Sequence, residues 1–277
     1  MDETLHVIYS ASRASTQPTL AYLRLAGVLG RTVIIVPEDQ VARYRSAGLG
    51  GVEPVPVHLS GTHRAREWAI TKTAPSHGAS RIVLWDDDLT LYFRPEPTDW
   101  HLQYIKTKEQ MVGLLTQLDA WLTTGLAHCG ISMRGGNNRV QEPYVDCTRS
   151  MGVYGYDTAT MCDLVSTGDL HLGRCPGQDD FDLTLQMLRL GYPNRVSYVY
   201  AQGQKASNSP GGASVWRTPE VLTATANELA FHHPGLVRVR EKASRNWQGY
   251  PETRTDVTVS WQKAWREGQR RREWARR

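Results

Sequence analysis

The stretch from Arg81 to Arg94 constrains the fold more than any other in the chain. Arg81-Ile82-Val83-Leu84-Trp85 has the apolar, β-rich character of a buried strand. It ends without a spacer in Asp86-Asp87-Asp88, and a second apolar run follows at once. Three adjacent carboxylates repel one another, no Lys or Arg lies within the triplet, and the strand anchors them near a core where solvation is limited. A divalent cation that prefers oxygen ligands, such as magnesium or manganese, relieves such a site. A surface turn is the simpler alternative, because Asp is common in turns. Acids directly after a buried strand of an α/β pattern fall where open sheets hold their ligands, which favours the site.

The rest of the N-terminal half supplies that pattern. Strands are expected at Leu5–Tyr9, Thr32–Val36, Val52–Val57 and Arg81–Trp85, with helices between them. The first strand runs into Ser10-Ala11-Ser12-Arg13, small and polar residues that let a ligand approach the backbone. Thr16 and Thr62 are expected helix caps, and Pro18 sits in a first turn. Strand–helix alternation of this kind argues for a mixed, mainly parallel central sheet flanked by helices. Further along, Met111, Leu114, Leu115, Leu118 and Leu122 recur at helical spacing, and His128–Met133 and Arg195–Tyr200 read as strands. A single domain over residues 1–255 is expected, followed by a basic, Trp-containing helical tail over 256–277.

Composition narrows the class. The 277 residues are 40% hydrophobic, enough for a well-buried core. No segment approaches the roughly 18 apolar residues of a membrane span. The acidic N-terminus runs straight into a strand, and Cys129, Cys147, Cys162 and Cys175 show no C-x-x-C spacing, so a cytoplasmic protein with reduced thiols is expected. The net charge of +4 is uneven: from Lys263 to Arg277 seven Lys/Arg face two Glu, a local +5, and the remainder sums to −1. Such a tail, interleaved with Trp261, Trp265 and Trp274, suits an anionic partner such as nucleic acid, or is a solvated helical face docked by its tryptophans. A membrane surface is a further reading of the same pattern.

Several residues outside the triplet could carry chemistry. Gln178-Asp179-Asp180-Phe181-Asp182 opens a helix, where acids are ordinary dipole partners. Asp182 is read that way, whereas Asp179 or Asp180 could act as a general base toward an acceptor hydroxyl. Arg13, Arg64 and Arg66 are cationic groups near strand ends that could hold a diphosphate or a pyrimidine ring; Arg66, next to Glu67 on a helix, equally fits an intrahelical or surface role, and Arg13 is the stronger candidate. His232 and His233 end a helix and are either metal ligands or dipole partners. Asn208 to Thr218, with Gly211-Gly212, reads as a hinge that closes over a donor and excludes water. The common kinase, dinucleotide, hydrolase and zinc-protease signatures are absent.

Taken in order, Ser12-Arg13, Leu84-Trp85-Asp86-Asp87-Asp88-Leu89, Gln178 to Gln186 with Gly191-Tyr192, and Asn208 to Arg217 resemble a GT-A glycosyltransferase. More narrowly, residues 5 to 235 resemble the bacteriophage TET/JBP-associated glycosyltransferases, which modify hydroxymethylated pyrimidines in phage DNA. The resemblance implies transfer of a sugar, of the glucose or N-acetylglucosamine class, from a UDP-sugar to 5-hydroxymethylcytosine in DNA, in a cell's cytoplasm and with no membrane partner. It implies Mn²⁺ or Mg²⁺ on Asp88, with Asp86 and one of His232 and His233. Ser10, Ser12, Arg13, Arg66, Asp86 and Asp87 would contact the nucleotide, and Asp180 or Asp179 would be the base. Asp87, between two ligand candidates, is expected to face away from the metal. Arg134, Arg139, Arg149, Arg270, Arg271 and Arg272 are candidate phosphate contacts. The alternatives are a GT-A enzyme with a polysaccharide or protein acceptor, a nucleotidyltransferase, and a non-catalytic DNA-binding module.

Overall fold

The computed structural model describes residues 3–59, 61–97, 99–204, 218–243 and 253–275. In the N-terminal half, β1 (Thr4–Tyr9), β2 (Thr32–Pro37), β3 (Val52–Val55) and β4 (Arg81–Asp86) pair in parallel in the order β3-β2-β1-β4. The connections are α1 (Pro18–Ala26), α2 (Val41–Ser46) and α3 (Thr62–Trp68). The last of these continues through a π-helical segment, Ala69–Thr73, into α4 (Ala74–Ser76). The expected cap at Thr16 is not used: Gln17 is the N-cap of α1 and makes no side-chain cap bond. Gly61, at φ 106, starts α3 in place of Thr62, because that φ favours a residue without Cβ.

Beyond the triplet come β5 (Thr90–Phe93), β6 (Gln103–Tyr104), α5 (Lys108–Thr123), β7 (His128–Met133), α6 (Arg134–Asn137), β8 (Tyr144–Asp146) and β9 (Val153–Asp157). These are followed by α7 (Thr158–Ser166), α8 (Asp179–Arg189) and β10 (Asn194–Gly203). The sheet continues β4-β9-β7-β10-β5-β6, with β9 antiparallel to both neighbours, β10 parallel to β7, and β5, β6 and β8 antiparallel to their partners. The sheet is therefore mixed and mainly parallel, as expected. The carboxyl ends of β1, β4, β7 and β10 share one edge, so Ser10–Arg13, the Asp triplet, Arg134 and Gln204 are gathered there by topology alone.

Both faces of the sheet are covered. One face buries Ile8, Val83, Trp85 and Ile131 against α1 and α5, whose Met111, Leu114, Leu115, Leu118 and Leu122 are all buried. A reciprocal capping box between Thr107 and Gln110 fixes the start of α5. The other face buries Val7, Ile35, Leu84 and Tyr156 against α3, α4, α7 and α8. Helix α8 is apolar on two sides. Leu183 and Met187 meet the sheet, while Leu185 and Leu188 meet a third cluster built from the C-terminal elements. Those elements are α9 (Pro219–His232), the antiparallel hairpin β11 (Val237–Ala243) and β12 (Thr253–Val259), and α10 (Trp261–Ala275). The expected boundary at 255/256 falls inside β12, and the tail helix itself starts at Trp261. All four cysteines are free, and no described helix is long and apolar enough to cross a membrane.

Candidate active site

Strand alternation decides where the three acids point. Leu84 packs on the α3/α8 face and Trp85 on the α1/α5 face, so side chains two residues on follow them. Asp87 is buried and turned inward. Its carboxylate accepts from the Ser10 hydroxyl at 2.6 Å and from the Arg13 guanidinium at 2.6 Å. Ser10 is also bonded to the Tyr44 hydroxyl at 2.7 Å and accepts from the Gln17 amide at 2.8 Å. Ser10 and Asp87 thus clip the ends of β1 and β4 together, and their side chains are not open to a nucleotide. This corrects the expectation for both.

Arg13 also reaches Asp88 at 2.8 Å, so the repulsion within the triplet is relieved in part from inside the protein. An external cation is not its sole remedy. Ser12, exposed at φ 61, stands on the rim, its backbone N–H donating to Gln40 at 2.7 Å. Thr19, not singled out from sequence, fixes the turn: its hydroxyl donates to the Asp86 carbonyl at 2.7 Å and accepts from the Leu89 N–H at 3.0 Å.

Asp86 faces the other way, into an open cleft whose walls include Tyr9, Ile35, Thr62, Arg66 and Tyr154. Gln204 donates to its carboxylate at 2.5 Å. Burial pushes the Asp86 carboxyl up to about 7, against the opposing charge of Arg66. The Arg66 guanidinium lies 4.3 Å over the Tyr154 ring and 2.6 Å from Asp179 at the start of α8. The cleft therefore joins the strand-end acid to a cation, and that cation is paired with the acidic helix start behind it. The Arg66 Nη1 and the Asp179 Oδ2, though close, make no aligned hydrogen bond, and the buried Oε1 of Gln178 and Nδ1 of His63 have no partner among the described residues. Buried polar atoms are normally satisfied, so the unmet Nη1 of Arg66, which lines the cleft, fits a polar ligand there.

The other acids of α8 are each held. Asp180 accepts from both the Nε and Nη2 of Arg149, at 3.0 and 2.7 Å, through Oδ2 alone. Arg149 also stacks 3.6 Å over Phe181. It is therefore a partner of the acidic turn and not the free phosphate contact expected from sequence. Asp182 is bound by Arg174 at 2.8 Å, by Gln186 at 2.9 Å and by His233 at 2.7 Å. His233 is fully buried, with Asp182 on Nε2 and Arg189 3.3 Å from Nδ1. Both ring nitrogens are taken, which withdraws His233 from the expected ligand set. His232 packs its ring against Phe231 and gives its carbonyl to Arg189. Neither histidine joins the triplet: among the described residues no three His, Cys, Asp or Glu side chains are placed to hold a metal ion.

The remaining arginines divide in two. Arg134 and Arg139 are exposed near the carboxyl edge, and Arg134 donates to the Tyr92 hydroxyl at 3.1 Å. Arg272 donates to the Leu190 carbonyl at 3.0 Å and stacks 4.0 Å from the Tyr192 ring, so it docks the tail and is not a free phosphate contact. Gly268 makes this docking close, since a Cβ there would meet the Leu188 carbonyl oxygen at 2.1 Å. Trp261 stacks on Phe181 at 5.7 Å, but Trp274, expected to help dock the tail, is 81% exposed. Exposed Arg270 and Arg271 lie toward the C-terminal end of α8, roughly 16 Å of helix from Asp180. The hinge expected at Asn208–Thr218 lies almost wholly outside the described residues.

A family model described as TET-Associated Glycosyltransferase matches residues 5–212. A search of curated proteins found no match. Among solved structures, one described as mannose-1-phosphate geranyltransferase from Thermus thermophilus is 16% identical with a TM-score of 0.39, covering 59% of this chain and 60% of its own. Another, described as GalNAc-T7 with UDP, GalNAc and Mn²⁺, is 11% identical with a TM-score of 0.42, covering 82% of this chain and 48% of its own. Both likenesses are distant, and the chain spans less than two thirds of either neighbour. The family match covers most of the chain and every element of the carboxyl-edge cleft: the protein belongs to the TET-associated glycosyltransferase family.

Proposed function

We propose that the enzyme moves a sugar from a UDP-sugar to the hydroxymethyl oxygen of 5-hydroxymethylcytosine in DNA. The observation that carries this reading is the convergence of Asp86 and Arg66 on one cleft, with Arg66 paired in turn to Asp179 at the start of α8. The apolar floor and Tyr154 suit a nucleoside, and Arg66 is placed to take a diphosphate oxygen. Asp86 and Asp88 fit Mn²⁺ or Mg²⁺: magnesium is commonly bound through one or two carboxylates and completed by substrate phosphates, so a third protein ligand is not required. Bound there, the ion would neutralise charge on the departing diphosphate.

The chain's own residues do the rest. Asp180, with Oδ2 clamped by Arg149 and no described donor on Oδ1, takes the proton from the acceptor hydroxyl. The freed oxygen attacks the anomeric carbon, the carbon–oxygen bond to the diphosphate breaks, and UDP leaves with the bonding electrons. Asp179 holds Arg66 in place for that departure. Exposed Arg134, Arg139, Arg270 and Arg271 contact phosphates.

The test is UDP release from a panel of UDP-sugars with hydroxymethylcytosine DNA, against unmodified DNA and polysaccharide. Release that depends on the modified DNA, and is lost in Asp180→Asn, supports the proposal. Release driven by polysaccharide alone, or pyrophosphate in place of UDP, refutes it.

A further inference from the structure

We infer that Tyr104, Tyr92 and Arg134 form a stacking shelf for a nucleobase of the acceptor strand, beside the cleft. This rests on the DNA-acceptor reading above and specifies the surface that would recognise the strand.

Tyr92 and Tyr104 are directly opposed across β5 and β6, so their side chains share one face of the sheet edge. Their ring centroids are 4.9 Å apart. The guanidinium of Arg134 lies 4.9 Å from the Tyr92 ring. Tyr92 is itself buried and backs the other two, so the exposed surface is the Tyr104 ring beside the Arg134 guanidinium. Tyr104 is 52% exposed on a strand of two residues, where its outer face meets solvent. Met133, adjoining Arg134, is 44% exposed, and Trp100, shortly before β6, is 53% exposed. So much exposed aromatic surface at one sheet edge is not needed to complete a core.

The shelf borders the triplet through the backbone. Gly203 abuts Tyr92 so closely that a Cβ there would come within 3.1 Å of the Tyr92 ring. The next residue, Gln204, is the one that holds Asp86. Exposed Lys106, Arg134 and Arg139 add positive charge around the rings, with Glu96, Asp99 and Glu109 the acids on the same segments. Aromatic rings interleaved with cations suit a strand of nucleic acid, whose bases stack on the rings and whose phosphates meet the cations. Aromatic shelves also stack sugars, so a carbohydrate acceptor is the competing occupant.

The experiment uses the full chain and measures binding of a fluorescein-labelled hydroxymethylcytosine oligonucleotide by anisotropy. Wild type is compared with Tyr104→Ala, Tyr104→Trp and Arg134→Ala, with UDP-sugar binding followed in parallel. Loss of one base stack is worth about tenfold in affinity. The expected result is a loss of about that size for Tyr104→Ala, retention in Tyr104→Trp, and unchanged UDP-sugar binding in both. Equal DNA affinity in wild type and Tyr104→Ala overturns the shelf and leaves the DNA-acceptor reading standing. A wild type that does not bind the oligonucleotide overturns both. Oligosaccharide binding that is lost in Tyr104→Ala, with DNA binding unchanged, assigns the shelf to sugar and also overturns it.

Discussion

Replacing Asp86 with asparagine should make the metal-free protein more stable above neutral pH while removing transfer. The carboxyl rises from an ordinary value of 3.8 to about 7, chiefly because burial penalises its charge. The folded state therefore keeps a proton that the unfolded chain has already lost. Stability falls as pH rises from 3.8 to about 7 and levels off above that. A rise of about 3 pH units at 1.36 kcal/mol each gives about 4 kcal/mol as an upper bound. Asp86 is only half-buried by surface exposure, so solvent screening reduces the expected gain to about 2 kcal/mol. Asparagine keeps an oxygen for the Gln204 amide, which donates to this position, and it cannot ionise. Urea unfolding in EDTA at pH 5 and pH 8 reads the effect. The variant should gain clearly more over wild type at pH 8 than at pH 5, and added Mn²⁺ should stabilise wild type alone. A gain equal at the two pH values, or a loss at pH 8, would refute the argument.

Other perturbations test the frame around the site. Asp182→Asn leaves Arg174 and buried His233 without their carboxylate and should cost about 3 kcal/mol in urea unfolding at neutral pH; a change under about 0.5 kcal/mol would contradict the buried cluster. The same carboxyl is held below its ordinary value, although burial alone would raise it, by the bonds from His233 and Arg174. That stability is present above about pH 4 and is lost on further acidification. Burial pushes His6 and His128 down to about 4, so each stays neutral in the fold while the unfolded chain takes up protons below its ordinary 6.5. Stability should then fall between pH 6.5 and 4, by up to about 3 kcal/mol per histidine, and His128→Gln should flatten the curve. Gly268→Ala would drive a methyl group into the Leu188 carbonyl and should loosen α10, seen as faster proteolysis of the tail with UDP-sugar binding unchanged.

Much of the frame was legible because it follows from local periodicity. The five apolar positions of α5 are all buried, and the alternating first four strands do pair in parallel. The inward turn of Asp87 follows from the period of two that any strand obeys. The relief supplied by Arg13 was harder to see, because it depends on β1 lying beside β4, with Tyr9 opposite Asp86. Arg149 and Asp180 are 31 residues apart and meet only through the packing of α8, which turns a candidate phosphate contact into a partner of the candidate base. A histidine at a helix end reads the same in sequence whether it is open or sealed, and only the burial of His233 against Asp182 separates the two. The β11–β12 hairpin escapes a sequence reading although Val237-Arg238-Val239-Arg240 alternates as a strand should. Its partner starts only at Thr253, too far along for a tight-turn signal to join them.

The most direct test of the central claim is the mass of the nucleosides recovered from hydroxymethylcytosine DNA after incubation with the enzyme, Mn²⁺ and a panel of UDP-sugars. Hydroxymethylcytosine should gain the mass of one transferred sugar with at least one donor. No gain is expected with Asp180→Asn or with DNA lacking the hydroxymethyl group. No mass gain across the panel, or an equal gain on unmodified DNA, would contradict the claim.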